Sequence, residues 1–159
     1  MILQSIPSVL GDEFYINHGE LLYNTYNKIT GKHLVEAKTA GDSRILNLYN
    51  APVAIVSHGI EADPVFNFGN KVALELLALG WSEFVALPSR QSAESMEREE
   101  RKKLLNEVSQ NGFINDYSGI RIASTGKRFL INQALVWNLV NDQGCYCGQA
   151  AMFKNWTLL

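Results

Sequence analysis

Two glycine-bearing turns divide the stretch from Gly112 to Trp156 into three extended runs, and no other feature constrains the fold as strongly. The runs are Tyr117 to Ala123, Arg128 to Val140 and Cys145 to Phe153. Ser124-Thr125-Gly126-Lys127 separates the first pair and Asn141-Asp142-Gln143-Gly144 the second. Glycine at such a turn takes positive φ without a Cβ clash, so each pair reads as a hairpin. In the long run Phe129, Ile131, Leu135, Trp137 and Leu139 share one face at period two, with Gln133 the one polar break. Arg128, Asn132 and Asn138 mix with Leu130, Ala134, Val136 and Val140 on the other. The pattern predicts a three-stranded antiparallel meander with one strongly apolar face. The chain before the meander is expected to supply the layer that covers that face.

At 159 residues the chain is one domain, large enough to bury its core without staples. A net charge of −2 gives no nucleic-acid footprint. Met1 to Leu10 lacks the positive flank and long apolar core of a signal peptide, and no run reaches the ~18 apolar residues that span a bilayer. The two cysteines, Cys145 and Cys147, stand two apart in an extended run, roughly 6.5 Å from each other and projecting in parallel, which suits no disulfide. Reduced thiols on an edge strand and a cytoplasmic compartment are the expectation. Structural zinc takes four ligands, usually with Cys-x2–4-Cys spacing, and this pair does not supply it.

From the N-terminus, Asp12 opens a helical pattern through Phe14, His18, Leu21, Leu22 and Ile29 to a stop at Gly31. This helix is a cap, a dimerisation arm or part of the common core. Gly41-Asp42-Ser43 marks a loop and Arg44 to Tyr49 a short helix. Val53 to Val56 and Val65 to Phe68 read as short strands. Asn70 caps a helix from Lys71 to Leu79, and Ser82 caps a turn of helix ending at Pro88. The longest helix, about 93 to 110, starts with the i, i+4 pairs Glu94/Arg98, Glu97/Arg101 and Glu99/Lys103 and buries Leu104, Leu105 and Val108. Strands flanking a helical insert suit one five-stranded antiparallel sheet with helices on one face, an α+β fold.

Several strings resemble the MEKHLA domain family: Val56-Ser57-His58-Gly59, Asp63-Pro64, Leu87-Pro88-Ser89-Arg90, Tyr117-Ser118-Gly119-Ile120-Arg121-Ile122, Val136-Trp137-Asn138 and Gly148-Gln149-Ala150-Ala151. The likeness is dense from about Asn50 to Trp156, which suggests an N-terminal helical extension over 1–49 and a PAS-like MEKHLA domain over 50–159. MEKHLA domains resemble PAS domains. They occur at the C-terminus of plant homeodomain-leucine-zipper factors and as small bacterial proteins, and this chain resembles the latter. The resemblance implies a five-stranded antiparallel sheet with its helical insert between the second and third strands. It also implies sensing or regulation, often through dimers, and names no ligand.

PAS-like domains hold small ligands between their helices and the inner sheet face. Asn132, Gln133, Asn138 and Gln149 offer donor and acceptor together there, and Trp137 is a stacking surface beside Asn138. Arg121 and Arg90 suit a carboxylate or phosphate, or else an internal salt bridge with Asp63 or Glu94. His58 is a structural histidine or, as in some PAS domains, a haem ligand. Flavin of the blue-light kind uses Asn-Cys-Arg-Phe on the helical side, where this chain has Ser89-Arg90-Gln91-Ser92. No specific motif therefore supports haem or flavin. Adjacent Ser57 and His58 on a strand point to opposite faces, and there is no Gly-x-Ser-x-Gly elbow, so a hydrolase is poorly supported.

Three functional readings follow. The first is a non-enzymatic PAS-like sensor that binds a small molecule and forms a homodimer. The second is an interaction module with a filled core. The third is a small cone-shaped isomerase or hydrolase that uses Asp63 or Asp116 with His58.

Overall fold

The computed structural model describes residues 6–35, 43–93 and 95–159. Among the described residues six strands form one antiparallel sheet: β1 (Ala54–His58), β2 (Phe66–Gly69), β3 (Phe113–Ile122), β4 (Arg128–Val140), β5 (Tyr146–Phe153) and β6 (Asn155–Leu158). Their spatial order is β2-β1-β5-β4-β3, and β6 continues β5 along the lower half of β4. The helical insert between β2 and β3 holds α3 (Lys71–Leu77), α4 (Trp81–Phe84), a 3-10 turn (Ser89–Ser92) and α5 (Ser95–Asn111). Among the described residues before the sheet are a 3-10 turn (Ser8–Gly11), α1 (Glu13–Thr30) and α2 (Arg44–Tyr49). This is the expected α+β sheet with its insert in the expected place. Gly41 and Asp42 of the expected loop, Glu94, and the side chains of Glu97, Arg98 and Arg101 lie outside the described residues.

Local chemistry accounts for the element ends. Gly31 closes α1 in the left-handed conformation at φ 72°, and its N–H donates to the Asn27 carbonyl. Asn70 caps α3 by accepting from Ala73 N–H, and it does more. Fully buried, its Oδ1 also accepts from Ile55 N–H, while its amide donates to the Leu48 and Val53 carbonyls. One side chain thus ties α2, β1 and α3 together.

The long strand β4 departs from simple alternation. Gln133 has φ 54° and Asp116 on β3 has φ 70°. Pairing runs Ile114 with Val136, Tyr117 with Ala134 and Gly119 with Ile131, so each strand contributes one extra residue in turn. These are two compensating β-bulges, and each turns the rest of its strand over. Phe129 and Ile131 therefore share a face with Ala134, Val136 and Asn138, whereas Leu135, Trp137 and Leu139 face the opposite way. The single apolar face expected from period two is corrected to two half-faces. The midsection insert covers the first of them. The second lies under α1, where fully buried Trp137 donates from Nε1 to Thr25 Oγ1 at 2.8 Å and packs edge-on against Tyr26. Helices thus cover both sides of the sheet.

Two smaller expectations also change. Strand β5 lies between β1 and β4 and is not an edge; Cys145 sits exposed in the turn before it and Cys147 is half-buried near its start. Gly80, not Ser82, precedes the one-turn helix, and its N–H is bound by the Glu83 carboxylate at 3.3 Å.

Candidate functional site

Alternation on the three central strands sets up the site. Pairs His58–Gln149 and Gln149–Asn138 place these residues in one row across β1, β5 and β4, on the side facing α5. The next row holds Val56, Ala151, Val136 and Ile114. Helix α5 lies over them with Leu104, Leu105 and Val108 pointing down. Between helix and sheet is a cavity of about 70 Å3. Its wall is mostly aliphatic, with polar atoms from His58, Ser92, Tyr117, Arg121 and Gln149.

Two amides fix the helix above this space. Gln149 Nε2 donates to the Leu105 carbonyl and to Asn138 Oδ1, each at 3.1 Å. Asn138 Nδ2 donates to the Val108 carbonyl at 2.8 Å. Because Gln149 is almost fully buried, these bonds satisfy groups that would otherwise be costly there. At the other end, Arg121 Nη2 donates to the Tyr117 hydroxyl at 2.8 Å and Nη1 to the Ile120 carbonyl at 3.1 Å. Ser92 Oγ donates to the Ser89 carbonyl at 2.8 Å, which closes the 3-10 turn over the same end. His58 Nδ1 donates to the Gly59 carbonyl at 2.9 Å, so a neutral ring carries its proton on that nitrogen.

The comparisons with known proteins fit this geometry. The sequence model of the MEKHLA domain matches residues 16–158, nearly the whole chain. The chain belongs to the MEKHLA domain family. Among its relatives is the homeobox-leucine zipper protein ATHB-14 of Arabidopsis thaliana, 29% identical over 142 residues, which are 85% of this chain and 16% of that protein. Another is the homeobox-leucine zipper protein HOX29 of Oryza sativa subsp. japonica, 28% identical over 132 residues, 79% of this chain and 14% of the other. The MEKHLA chain therefore spans only a small part of these relatives' length. In solved structures, the PAS domain of a protein from Colwellia psychrerythraea superposes with a TM-score of 0.60 at 13% identity, covering 69% of this chain and 90% of that one. A light-oxygen-voltage domain gives 0.58 at 12% identity, covering 72% and 83%. The fold is PAS-like.

In this MEKHLA domain the candidate residues divide by location. His58, Gln149 and Arg121 line the cavity. Asn138 is on the same sheet face and supports α5 through Gln149 and Val108. Trp137 is on the opposite face against α1, and Asn132 lies beyond the cavity beside β6, where it donates to Thr157 Oγ1 at 3.3 Å. Arg90 binds Asp63 through Nε at 3.0 and 3.1 Å, the internal pair expected of it. Tyr117 and Ser92 were not among the ligand-binding candidates read from sequence. The signal for Tyr117 was its period-two spacing with Gly119 and Arg121 on one strand face.

Catalytic and cofactor chemistries find little footing here. Ser57 and His58 do point to opposite faces: Ser57 turns to α1, bonded to His18 Nε2 at 2.9 Å, and donates to Asn67 Oδ1 at 2.5 Å. The cavity holds His58 but neither Asp63 nor Asp116. A dry cavity that accepts benzene measures roughly 150 Å3, about twice this one. A haem or flavin ring system does not fit 70 Å3. Among the described residues no three His, Cys, Asp or Glu side chains gather to hold a metal, and no helix is long and apolar enough to cross a membrane.

Proposed function

We propose that this MEKHLA domain is a sensory module that binds a small molecule under α5 and acts as a homodimer. Family and fold are those of sensory modules, not catalysts. The observation that carries the ligand reading is the cavity itself, enclosed by α5 and the inner sheet face and bordered by polar groups from four elements. Close packing leaves few voids of this size in a protein interior, so a filled-core scaffold does not explain it. The dimer reading rests on Phe14 and Ile16, which are 56% and 42% exposed on α1. The two free thiols support a cytoplasmic setting.

Native mass spectrometry of freshly purified protein tests both parts. The expected result is a mass of two chains, each with a small-molecule excess that denaturation releases. Bare chain mass, together with no stabilisation by any compound in a broad thermal-shift screen, removes the ligand reading. A monomer at micromolar concentration removes the dimer.

A further inference from the structure

We propose that the cavity binds a short aliphatic monocarboxylate, its chain among Leu104, Leu105, Val108 and Val136 and its carboxylate on Arg121 and Tyr117. This rests on the ligand reading above and adds the chemistry of the ligand. Among the described lining residues only Arg121 carries a permanent charge. Its side-chain bonds go to two neutral oxygens, Tyr117 Oη and the Ile120 carbonyl. Among the described residues no carboxylate lies within 4.0 Å of it; the ion pairs are Arg44–Glu20 and Arg90–Asp63. A guanidinium with donors to spare at the rim of an apolar chamber favours a planar anion, which it can take in bidentate fashion.

The rest of that end is shaped to the same purpose. Tyr117, Gly119 and Arg121 follow one another on one face of β3, and both Tyr117 and Gly119 are buried. A Cβ on Gly119 would come within 2.5 Å of the Tyr117 hydroxyl and 3.3 Å of Arg121 Nη1. Glycine therefore lets the phenol lie across the strand and reach the guanidinium. Since the hydroxyl accepts from Arg121, its own proton can be donated to a second acceptor. Arg121 is half-exposed, so an anion reaches it from solvent, while the chamber behind is aliphatic. Size sets the chain length. At 70 Å3 the chamber is about half of one that takes benzene, which suits roughly three or four carbons beyond the carboxylate.

Calorimetric titration of the full chain with acetate through octanoate, alongside butyramide and pentanamide, tests the assignment. The affinity is expected to peak at butyrate or pentanoate and to fall at least tenfold for the amides and for Arg121→Gln, with a smaller loss for Tyr117→Phe. Ala151→Leu, which fills the chamber from the centre of β5, abolishes binding. Amides that bind as well as acids, or full affinity in Arg121→Gln, overturn the carboxylate assignment while the small-molecule reading stands. Unchanged binding by Ala151→Leu places the ligand elsewhere and also overturns it. If no acid binds but the broad screen finds a ligand, only this inference fails; if neither does, both fail. Should Arg121→Gln not fold, the acid–amide comparison on the native chain decides the point.

Discussion

Lowering the pH should weaken the grip of α1 on the sheet through one residue, His18. Its side chain is buried at 4% exposure, stacked on Phe14 and edge-on to Tyr15 and Phe68. Ser57 gives its hydroxyl proton to Asn67, so the bond between Ser57 Oγ and His18 Nε2 uses a proton from the ring. Among the described residues no carboxylate lies within ion-pair distance of His18; the charged groups around the same groove are Glu20, Lys28, Glu61 and Asp142. Burial lowers the His18 pKa from 6.5 to about 4. The folded value is below the unfolded one, so the unfolded chain takes up the proton first. Above pH 6.5 both states are neutral and nothing is lost. Stability then falls between pH 6.5 and about 4, at roughly 1.4 kcal/mol per unit. The loss is about 2 kcal/mol by pH 5 and levels off near 3 kcal/mol once both states are charged. Urea unfolding of the native chain and His18→Gln, at about pH 7.5 and about pH 5, measures it, since the other titrating groups are common to both. The native chain should lose about 2 kcal/mol more than the variant over that interval. Equal losses would refute the placement of His18 as a neutral, desolvated contact between α1 and β1.

Two substitutions probe the framework of the fold. Asn70→Ala removes a helix cap and strands Ile55 N–H and the Val53 carbonyl in the interior, while the Leu48 carbonyl keeps Ala51 N–H; the change should cost about 3–5 kcal/mol in urea unfolding, and a loss under about 1 kcal/mol would show that those groups find other partners. Gln133→Gly should be neutral or stabilising by up to about 1 kcal/mol, because glycine takes φ 54° without strain, whereas Gln133→Val should destabilise by about 1–2 kcal/mol; the reverse order would argue against the bulge on β4.

The parts of the fold legible in sequence were those written in local chemistry. Glycine turns bounded the meander, Gly31 ended α1, and Asn70 announced α3, because each residue type solves one backbone problem wherever it occurs. Strand β6 was not legible, since it depends on β5 bending at Lys154 and pairing again along β4. The central position of β5 was not legible either: strand order is a property of the whole topology, and period two reports only faces.

The site was half legible for one reason, the bulge at Gln133. Strict alternation sends Trp137 to the same side as Phe129 and Ile131, and on that count it belonged to the ligand chamber. A glutamine gives little warning of positive φ, and Asp116, whose residue type visits that region more readily, offered only a weak one. Once β4 gains a residue, everything after it changes sides together. Trp137 goes to Thr25 on α1, and its neighbour Asn138 goes to Gln149 and the Val108 carbonyl of α5. Two adjacent residues thereby hold two helices on opposite faces of one strand. Neither contact survives a one-residue slip, because the slip would send the indole toward α5 and the amide toward α1. The bulge therefore sets more than local shape. It lets the sheet present an aliphatic chamber under α5 and still spend its largest side chain on α1, so the cavity remains open instead of being filled by Trp137.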